Sequence, residues 1–141
     1  MAQAIKMLRV IQIAFLVSIG VYMLIGELVG PHGRITGKPT LFYGISVVSI
    51  LTIGVILVVR RTLVLHSEAM LKSASNDEAI VNRWKTGYIV TYALSEALAL
   101  FGLIVRITGF SFSQAVTFYI PGFVLMLFFR PRQPASRFAS E

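Results

Sequence analysis

The sequence contains no cysteine, only two histidines and a single tryptophan, and few of its residues are charged. Without cysteine the chain can form no disulfide, no thiolate nucleophile and no cysteine-ligated zinc or iron–sulfur site. It also lacks a glycine-rich phosphate loop, a Ser/His/Asp arrangement and a histidine cluster. A chain of 141 residues is one domain by length. We therefore expect no enzymatic activity, no cofactor and no metal site.

Apolar residues are abundant instead. They make up 56% of the chain against 13% charged residues, and the mean hydropathy is +0.79. A soluble domain of this length cannot bury so much apolar surface, so we predict an all-α integral membrane protein. A bilayer core of roughly 30 Å requires about 20 apolar residues in a helix. Four stretches meet that requirement and predict a bundle of four transmembrane helices: residues 10–29, 41–59, 86–105 and 107–129.

Basic residues are distributed unevenly between the segments that join these spans. Alternating the spans across a membrane places Arg34, Lys38 and Arg106 on one side and the other ten Lys and Arg residues on the opposite side. Because basic loops remain in the cytoplasm, we predict that both termini and residues 60–85 are cytoplasmic. A net charge of +7 would suggest nucleic acid for a soluble protein. Here we expect no nucleic acid, and contact with anionic lipids of the cytoplasmic leaflet in a bacterial or archaeal plasma membrane.

The segment 60–85 has helical features of its own. An apolar pattern continues past the second span as far as Leu71, and Ser75-Asn76-Asp77-Glu78 is typical of a capping box that opens a helix. We predict a cytoplasmic helical-hairpin extension between the second and third helices. Residues 130–141 have the composition of a disordered basic tail.

A short internal repeat lies at the other side of the predicted membrane. The string Arg34-Ile35-Thr36-Gly37 recurs as Arg106-Ile107-Thr108-Gly109, each time in the turn of a predicted two-helix hairpin. One interpretation is a duplicated two-helix unit, whose halves are related by an axis along the membrane normal. The other is chance similarity, because the spacings around the two copies do not match without gaps.

The polar residues of the third span share one helix face. At 100° per residue this face contains Tyr88, Tyr92, Ser95, Glu96 and Arg106. Such a face should pack against other helices or line a wet crevice. Glu96 lies near the middle of the span, where an ionised carboxylate costs at least ~2.5 kcal/mol, so we expect it to be protonated or paired. We therefore take Glu96 as the candidate ion-binding residue and the other four as its supporting polar face.

Two interpretations of Glu96 are open. It either carries an ion, or it only fixes helix packing through a hydrogen bond to a polar residue on another helix. The possible partners are Tyr22, Ser46, Ser49, Thr52, Gln114 and Thr117. Glu27, near the outer boundary, is expected to form a structural ion pair with Arg106 or Arg34. Pro121 and Gly122 are expected to kink the fourth helix.

The stretch from Ser95 to Val105, with its glutamate followed by Ala-Leu-Ala-Leu-Phe-Gly-Leu, resembles the carboxylate-bearing helix of the c and K proteolipid subunits of rotary ATPases. The resemblance implies that Glu96 is an ion-carrying carboxylate on the helix that leaves a cytoplasmic loop. It does not extend to a rotor subunit, because the preceding helix has only Gly44 and Gly54 where proteolipids have a glycine repeat, and two further helices flank the hairpin.

The sequence is consistent with two functions. In the first, the protein is a small multi-pass subunit that handles protons or cations through Glu96, as a homo-oligomer or within a larger membrane-protein complex. In the second, it is a non-catalytic accessory subunit that packs beside a larger assembly and presents its hairpin to it.

Overall fold

The chain folds into helices joined by short connections. The computed structural model describes residues 2–30, 37–71 and 77–131, and these ranges contain no strand. The helices are α1 (Ala2–Val29), α2 (Pro39–Val59), α3 (His66–Leu71), α4 (Glu78–Ile107) and α5 (Phe112–Phe128), and a π-helical stretch, Arg60–Leu65, joins α2 to α3 without a break. The predicted all-α class is confirmed.

Three helical segments are long and apolar enough to cross a membrane: Gln3–Val29, Pro39–Leu71 and Glu78–Ile107. The fourth predicted span corresponds to α5, which is apolar but has only 17 residues. Many large apolar side chains point away from the bundle, above all along α1 and α2, among them Val10, Ile13, Leu24, Ile50 and Leu51. These features are compatible with a helical bundle in a membrane.

Helix α4 is the centre of the bundle, and α1, α2 and α5 each pack on it. The face of α4 that was predicted from its polar residues is the face that packs, with Tyr88, Tyr92, Ser95 and Arg106 all buried. Small residues on the same face, such as Ala99, allow α5 to approach closely. The core of the protein therefore lies along one side of α4.

The helix starts differ from the predicted ones at two places. The N-cap of α4 is Asp77, whose carboxylate accepts a hydrogen bond from the Ala79 backbone N–H at 2.9 Å, so the predicted cap at Ser75 is wrong. Ser75 itself lies outside the described residues. Helix α5 begins at Phe112 and not at Ile107, because Gly109 turns the chain with φ 104° and Ser111 caps the new helix in a capping box with Gln114.

The extension between the second and third spans is a continuation of α2 beyond its predicted end. The π-helical stretch turns Val64 onto α4, where it is fully buried, and Leu71 is also buried. A Cβ atom on Gly87 would lie 2.6 Å from Val64 Cγ2, so only glycine permits this contact. The predicted disordered tail lies outside the described residues from position 132 onward.

Gly37 and Gly109, the last residues of the two copies of the internal repeat, are in contact at one end of the bundle. The Gly37 N–H donates to the Gly109 carbonyl at 3.2 Å, and the ring centroids of Phe42 and Phe118 lie 5.7 Å apart. The two hairpins are nevertheless packed differently. Helices α4 and α5 contact each other extensively, whereas α1 and α2 each pack mainly on α4.

Candidate functional site

Glu96 lies at the interface of α1 and α4 and forms a hydrogen bond with Tyr22. The Tyr22 hydroxyl donates to Glu96 Oε1 at 2.6 Å, and both residues are partly buried. Of the six partners considered from the sequence, the structure therefore brings Tyr22 to the carboxyl. The other five are engaged within their own helices: Ser46, Ser49, Thr52 and Thr117 donate to carbonyls one turn earlier, and Gln114 accepts from Ser111.

Glu96 is far from both polar ends of its helix. At 1.5 Å per residue it lies about 15 Å from Arg106 and about 17 Å from Lys85 along α4. The ion pair found within the described ranges joins Arg106 to Glu27, so no described Lys or Arg is within ion-pair distance of Glu96. The carboxyl is thus held by a neutral phenol and not by a cation.

Arg106 belongs to a separate polar group at one end of the bundle. Its Nε donates to Glu27 Oε1 at 3.0 Å and its Nη1 to the Phe110 carbonyl at 3.1 Å. The Arg106 side chain is 7% exposed and that of Glu27 is 42% exposed. The predicted partners are therefore brought together, but Arg106 shares only a helix face with Glu96.

Between this ion pair and Glu96 lies Tyr119 of α5. A Cβ atom on Gly26 of α1 would come within 3.1 Å of the Tyr119 hydroxyl, and one on Gly102 of α4 within 2.8 Å of its ring. The hydroxyl is buried and has no hydrogen-bond partner among the described residues. A buried hydroxyl without a hydrogen-bond partner is costly and therefore uncommon in a folded protein.

Tyr88 and Tyr92 form their contacts toward the opposite end of α4. Their rings form a row with Trp84, in which Trp84 and Tyr88 meet edge to face at a centroid distance of 5.0 Å and Tyr88 and Tyr92 are tilted at 6.0 Å. The Tyr92 hydroxyl donates to the Phe129 carbonyl at 2.8 Å, and the Gln12 amide donates to the Met126 carbonyl at 2.7 Å. Two carbonyls at the C-terminal end of α5, which have no partner within the helix, are thereby satisfied.

Arg60 lies at the same end. Its guanidinium carbon is 4.1 Å from the centroid of the Phe129 ring and 6.0 Å from that of Tyr88, within the range of a cation–π contact. Sequence reasoning did not single out Gln12 or Arg60. An amide within the apolar run of α1 could have indicated that Gln12 has a polar partner inside the bundle. Arg60 begins the π-helical stretch, and no sequence pattern predicted that stretch.

Ser95 and Gly122 mark the closest approach of α4 and α5. The Ser95 hydroxyl donates to the Thr91 carbonyl at 2.8 Å, one turn earlier on the same helix. A Cβ atom on Gly122 would lie 2.6 Å from the Ser95 carbonyl oxygen. Gly122 therefore allows the close packing of α4 and α5, and α5 continues as a helix through Pro121 to Phe128. The kink expected at Pro121 and Gly122 stays a prediction.

Comparisons of the chain with protein-family models, with curated proteins and with solved structures give no match. The candidate site is therefore interpreted from its own geometry.

Proposed function

We propose that this protein spans a membrane four times and handles protons or cations through Glu96, as a subunit of a homo-oligomer or of a larger membrane complex. The observation that carries the proposal is the 2.6 Å hydrogen bond between Tyr22 and Glu96, with no described cation beside the carboxyl. Because an ionised carboxylate in the hydrocarbon region is costly without a cation, such a group is suited to bind a proton and to release it to an arriving partner.

The dimensions of the helices support four spans. Lys38 and Arg60 at the ends of α2 are about 33 Å apart along the helix axis, and Lys85 and Arg106 on α4 about 32 Å, at 1.5 Å per residue. Both values match a hydrocarbon core of about 30 Å. Helix α5, at about 26 Å, is slightly short, and a bilayer can adapt to such a mismatch by local thinning.

The charge asymmetry supports an orientation in which both termini and the α2–α4 hairpin are cytoplasmic. Arg9, Arg60 and Arg130 then lie at the cytoplasmic boundary, and the Glu27–Arg106 ion pair lies at the outer boundary. Glu96 is near the midplane between them.

Tyr119 provides support for a path to the carboxyl from the outer side. Its hydroxyl lies beside Gly26, one helical turn from Tyr22 on α1, and is unpartnered among the described residues. A proton entering from the outer end would pass from the ion pair to this hydroxyl and then to the Tyr22–Glu96 pair. Partial burial leaves Glu96 accessible from the side of the bundle, where a neighbouring subunit could complete the path.

Proton or cation flux in reconstituted vesicles tests the proposal. Glu96→Gln keeps the size of the side chain and can still accept the hydrogen bond from Tyr22, but it cannot titrate. We expect it to abolish flux while the assembled protein stays intact. Glu78→Gln, at the exposed start of α4, is the matched control and should retain wild-type flux. Wild-type flux in Glu96→Gln would refute an ion-carrying carboxyl.

The accessory function is the second candidate, and the same hydrogen bond favours it. A bond between α1 and α4 can simply hold the helices together. In that case Glu96→Gln should behave as wild type, whereas Glu96→Leu should weaken assembly by about 0.6–2 kcal/mol, the range of interhelical hydrogen bonds in membranes. The hairpin gives this function less support than its sequence suggested, because Val64 and Leu71 are buried and Ile80 and Val81 pack against the core.

A further inference from the structure

A cavity between the start of α1 and the end of α5 combines two arginines with an apolar wall. It has a volume of about 510 Å³ and is lined by Arg9, Gln12, Ile13, Arg130 and Pro131. Ligand sites in proteins have volumes of about 300–1,000 Å³, so it can hold a group of small-molecule size. Arg9 and Arg130 come from opposite ends of the chain, and only the fold brings them to one cavity.

Neither arginine has an anionic partner in the part of the chain that the structure describes. The ion pair found there joins Arg106 and Glu27 at the other end of the bundle. Two carbonyls at the end of α5 do not require the guanidinium groups either, because Met126 accepts from Gln12 and Phe129 accepts from Tyr92. Arg60, whose guanidinium lies over the Phe129 ring, adds a third positive charge at the same end of the bundle. The site therefore has an excess of positive charge and free guanidinium donors.

The position of the cavity indicates which kind of anion it binds. Arg9 directly precedes the apolar run of α1, and Arg130 directly follows Phe129, the C-cap of α5, which places both at the level of lipid headgroups in the proposed membrane orientation. Below them Ile13 is 59% exposed and Val17 is 60% exposed on the surface of α1 that faces lipid. A charged site above an apolar wall matches a phospholipid, whose phosphate lies above its acyl chains. A guanidinium group can donate two parallel hydrogen bonds to the oxygens of one phosphate.

We propose that this cavity binds the phosphate of one anionic phospholipid, with Arg9 and Arg130 as its ligands and its acyl chains along α1. The proposal rests on the proposed membrane location of the protein but not on ion transport by Glu96. It assigns a defined site for one lipid, in addition to the general attraction of a basic surface to an anionic leaflet.

Native mass spectrometry of the full-length protein in detergent, titrated with phosphatidylglycerol, tests this site. We expect one lipid bound per chain, and Arg9→Gln combined with Arg130→Gln should weaken its binding roughly tenfold or more. The matched control removes two exposed arginines of the same basic region, Arg61→Gln with Arg83→Gln, and should stay within about twofold of wild type. Arg9→Lys with Arg130→Lys keeps the charge but loses the paired donors, and should bind more weakly than wild type.

Four outcomes would overturn the proposal. One is equal weakening in the two double Gln variants, which would show general electrostatic attraction. Another is wild-type binding in Arg9→Gln/Arg130→Gln, or equal binding of phosphatidylcholine. The last is displacement of the lipid by inorganic phosphate at equal concentration, which would identify a site for a free anion. Glu96→Gln should bind lipid as wild type does, so that loss of the lipid site and loss of ion transport remain distinguishable.

Discussion

Glu96 and Arg106 lie on the same helix but have different surroundings. Arg106 is paired with Glu27 and bonded to the Phe110 carbonyl, which accounts for its burial. Glu96 has a phenol as its partner and is only partly buried. A charge that is fully paired is fixed in place, whereas a carboxyl held by one neutral donor can exchange its proton when another group approaches. The proposed function therefore depends on the Tyr22–Glu96 pair.

Tyr22→Phe keeps the ring and removes the hydroxyl that donates to Glu96. We expect it to lower the free energy of unfolding by about 0.6–2 kcal/mol, the range of interhelical hydrogen bonds in membranes. Unfolding in mixed detergent micelles provides the measurement. Tyr43→Phe is the matched control, because Tyr43 is 68% exposed on α2. Equal stability of Tyr22→Phe and wild type would show that the bond does not hold α1 on α4.

At the scale of helices, α5 is held against α4 by close backbone contact and by side-chain bonds to its C-terminal carbonyls. Gly122 faces the Ser95 carbonyl, and Gln12 and Tyr92 bond to the Met126 and Phe129 carbonyls. Helix α5 is shorter than the others and contains Pro121, so these contacts determine where it lies.

We predict that Gly122→Ala separates α4 from α5. Its Cβ atom would be 2.6 Å from the Ser95 carbonyl oxygen, and because backbone cannot rotate away the helices must move, at a cost of about 1–3 kcal/mol. Gly54→Ala in α2 is the matched control, since no atom lies within 4 Å of the new Cβ, and it should leave the stability unchanged or raise it by up to about 1 kcal/mol, because Ala favours a helix over Gly. Similar unfolding curves for the two variants would contradict the close approach.

Much of the helical organisation could be predicted from the sequence. Hydropathy and breakers such as Gly30 and Gly109 determine where helices stop, and the 100° periodicity of α4 correctly identified its packing face. The π-helical stretch at 60–65 could not be predicted, because the sequence continues the apolar helical pattern there, and the packing of Val64 against Gly87 is visible only in the fold. The same holds for the partner of Glu96, which is one of six polar residues that only the packing distinguishes.

A shared helix face also gave a wrong expectation about which side chains lie near Glu96. Tyr88 and Tyr92 share a helix face with Glu96, yet they bond and stack toward the other end of α4. A helical wheel reports direction around the axis but not distance along it. Gly122 was expected to kink the fourth helix together with Pro121. Its contact with Ser95 lies across the interface between α5 and α4, and a single sequence does not show which residues meet there.

At the scale of the whole molecule, the two ends of the bundle differ in charge. One end combines Arg9, Arg60 and Arg130, and the described residues of the other include Lys38 and an arginine paired with Glu27. In the proposed orientation the first end faces the cytoplasm, where anionic lipids are available to it.

Cysteine accessibility tests this orientation directly, because the natural chain has no cysteine. We expect Thr40→Cys to react with an impermeant thiol reagent from outside the cell and Asn82→Cys only after the membrane is opened. Both positions are exposed on the surface of the protein. The reverse pattern would contradict the orientation, and labelling of both from one side would contradict the number of spans between them.

The central claim is that ions pass through the Glu96 carboxyl. A hydrophobic carbodiimide modifies carboxyls within the membrane, and in one set of reconstituted vesicles the fraction of Glu96 modified can be measured by peptide mass spectrometry beside the remaining proton or cation flux. We predict that flux falls in proportion to modification of Glu96 and reaches zero when the residue is fully modified. Unchanged flux at full modification of Glu96, or loss of flux with Glu96 unmodified, would contradict the account.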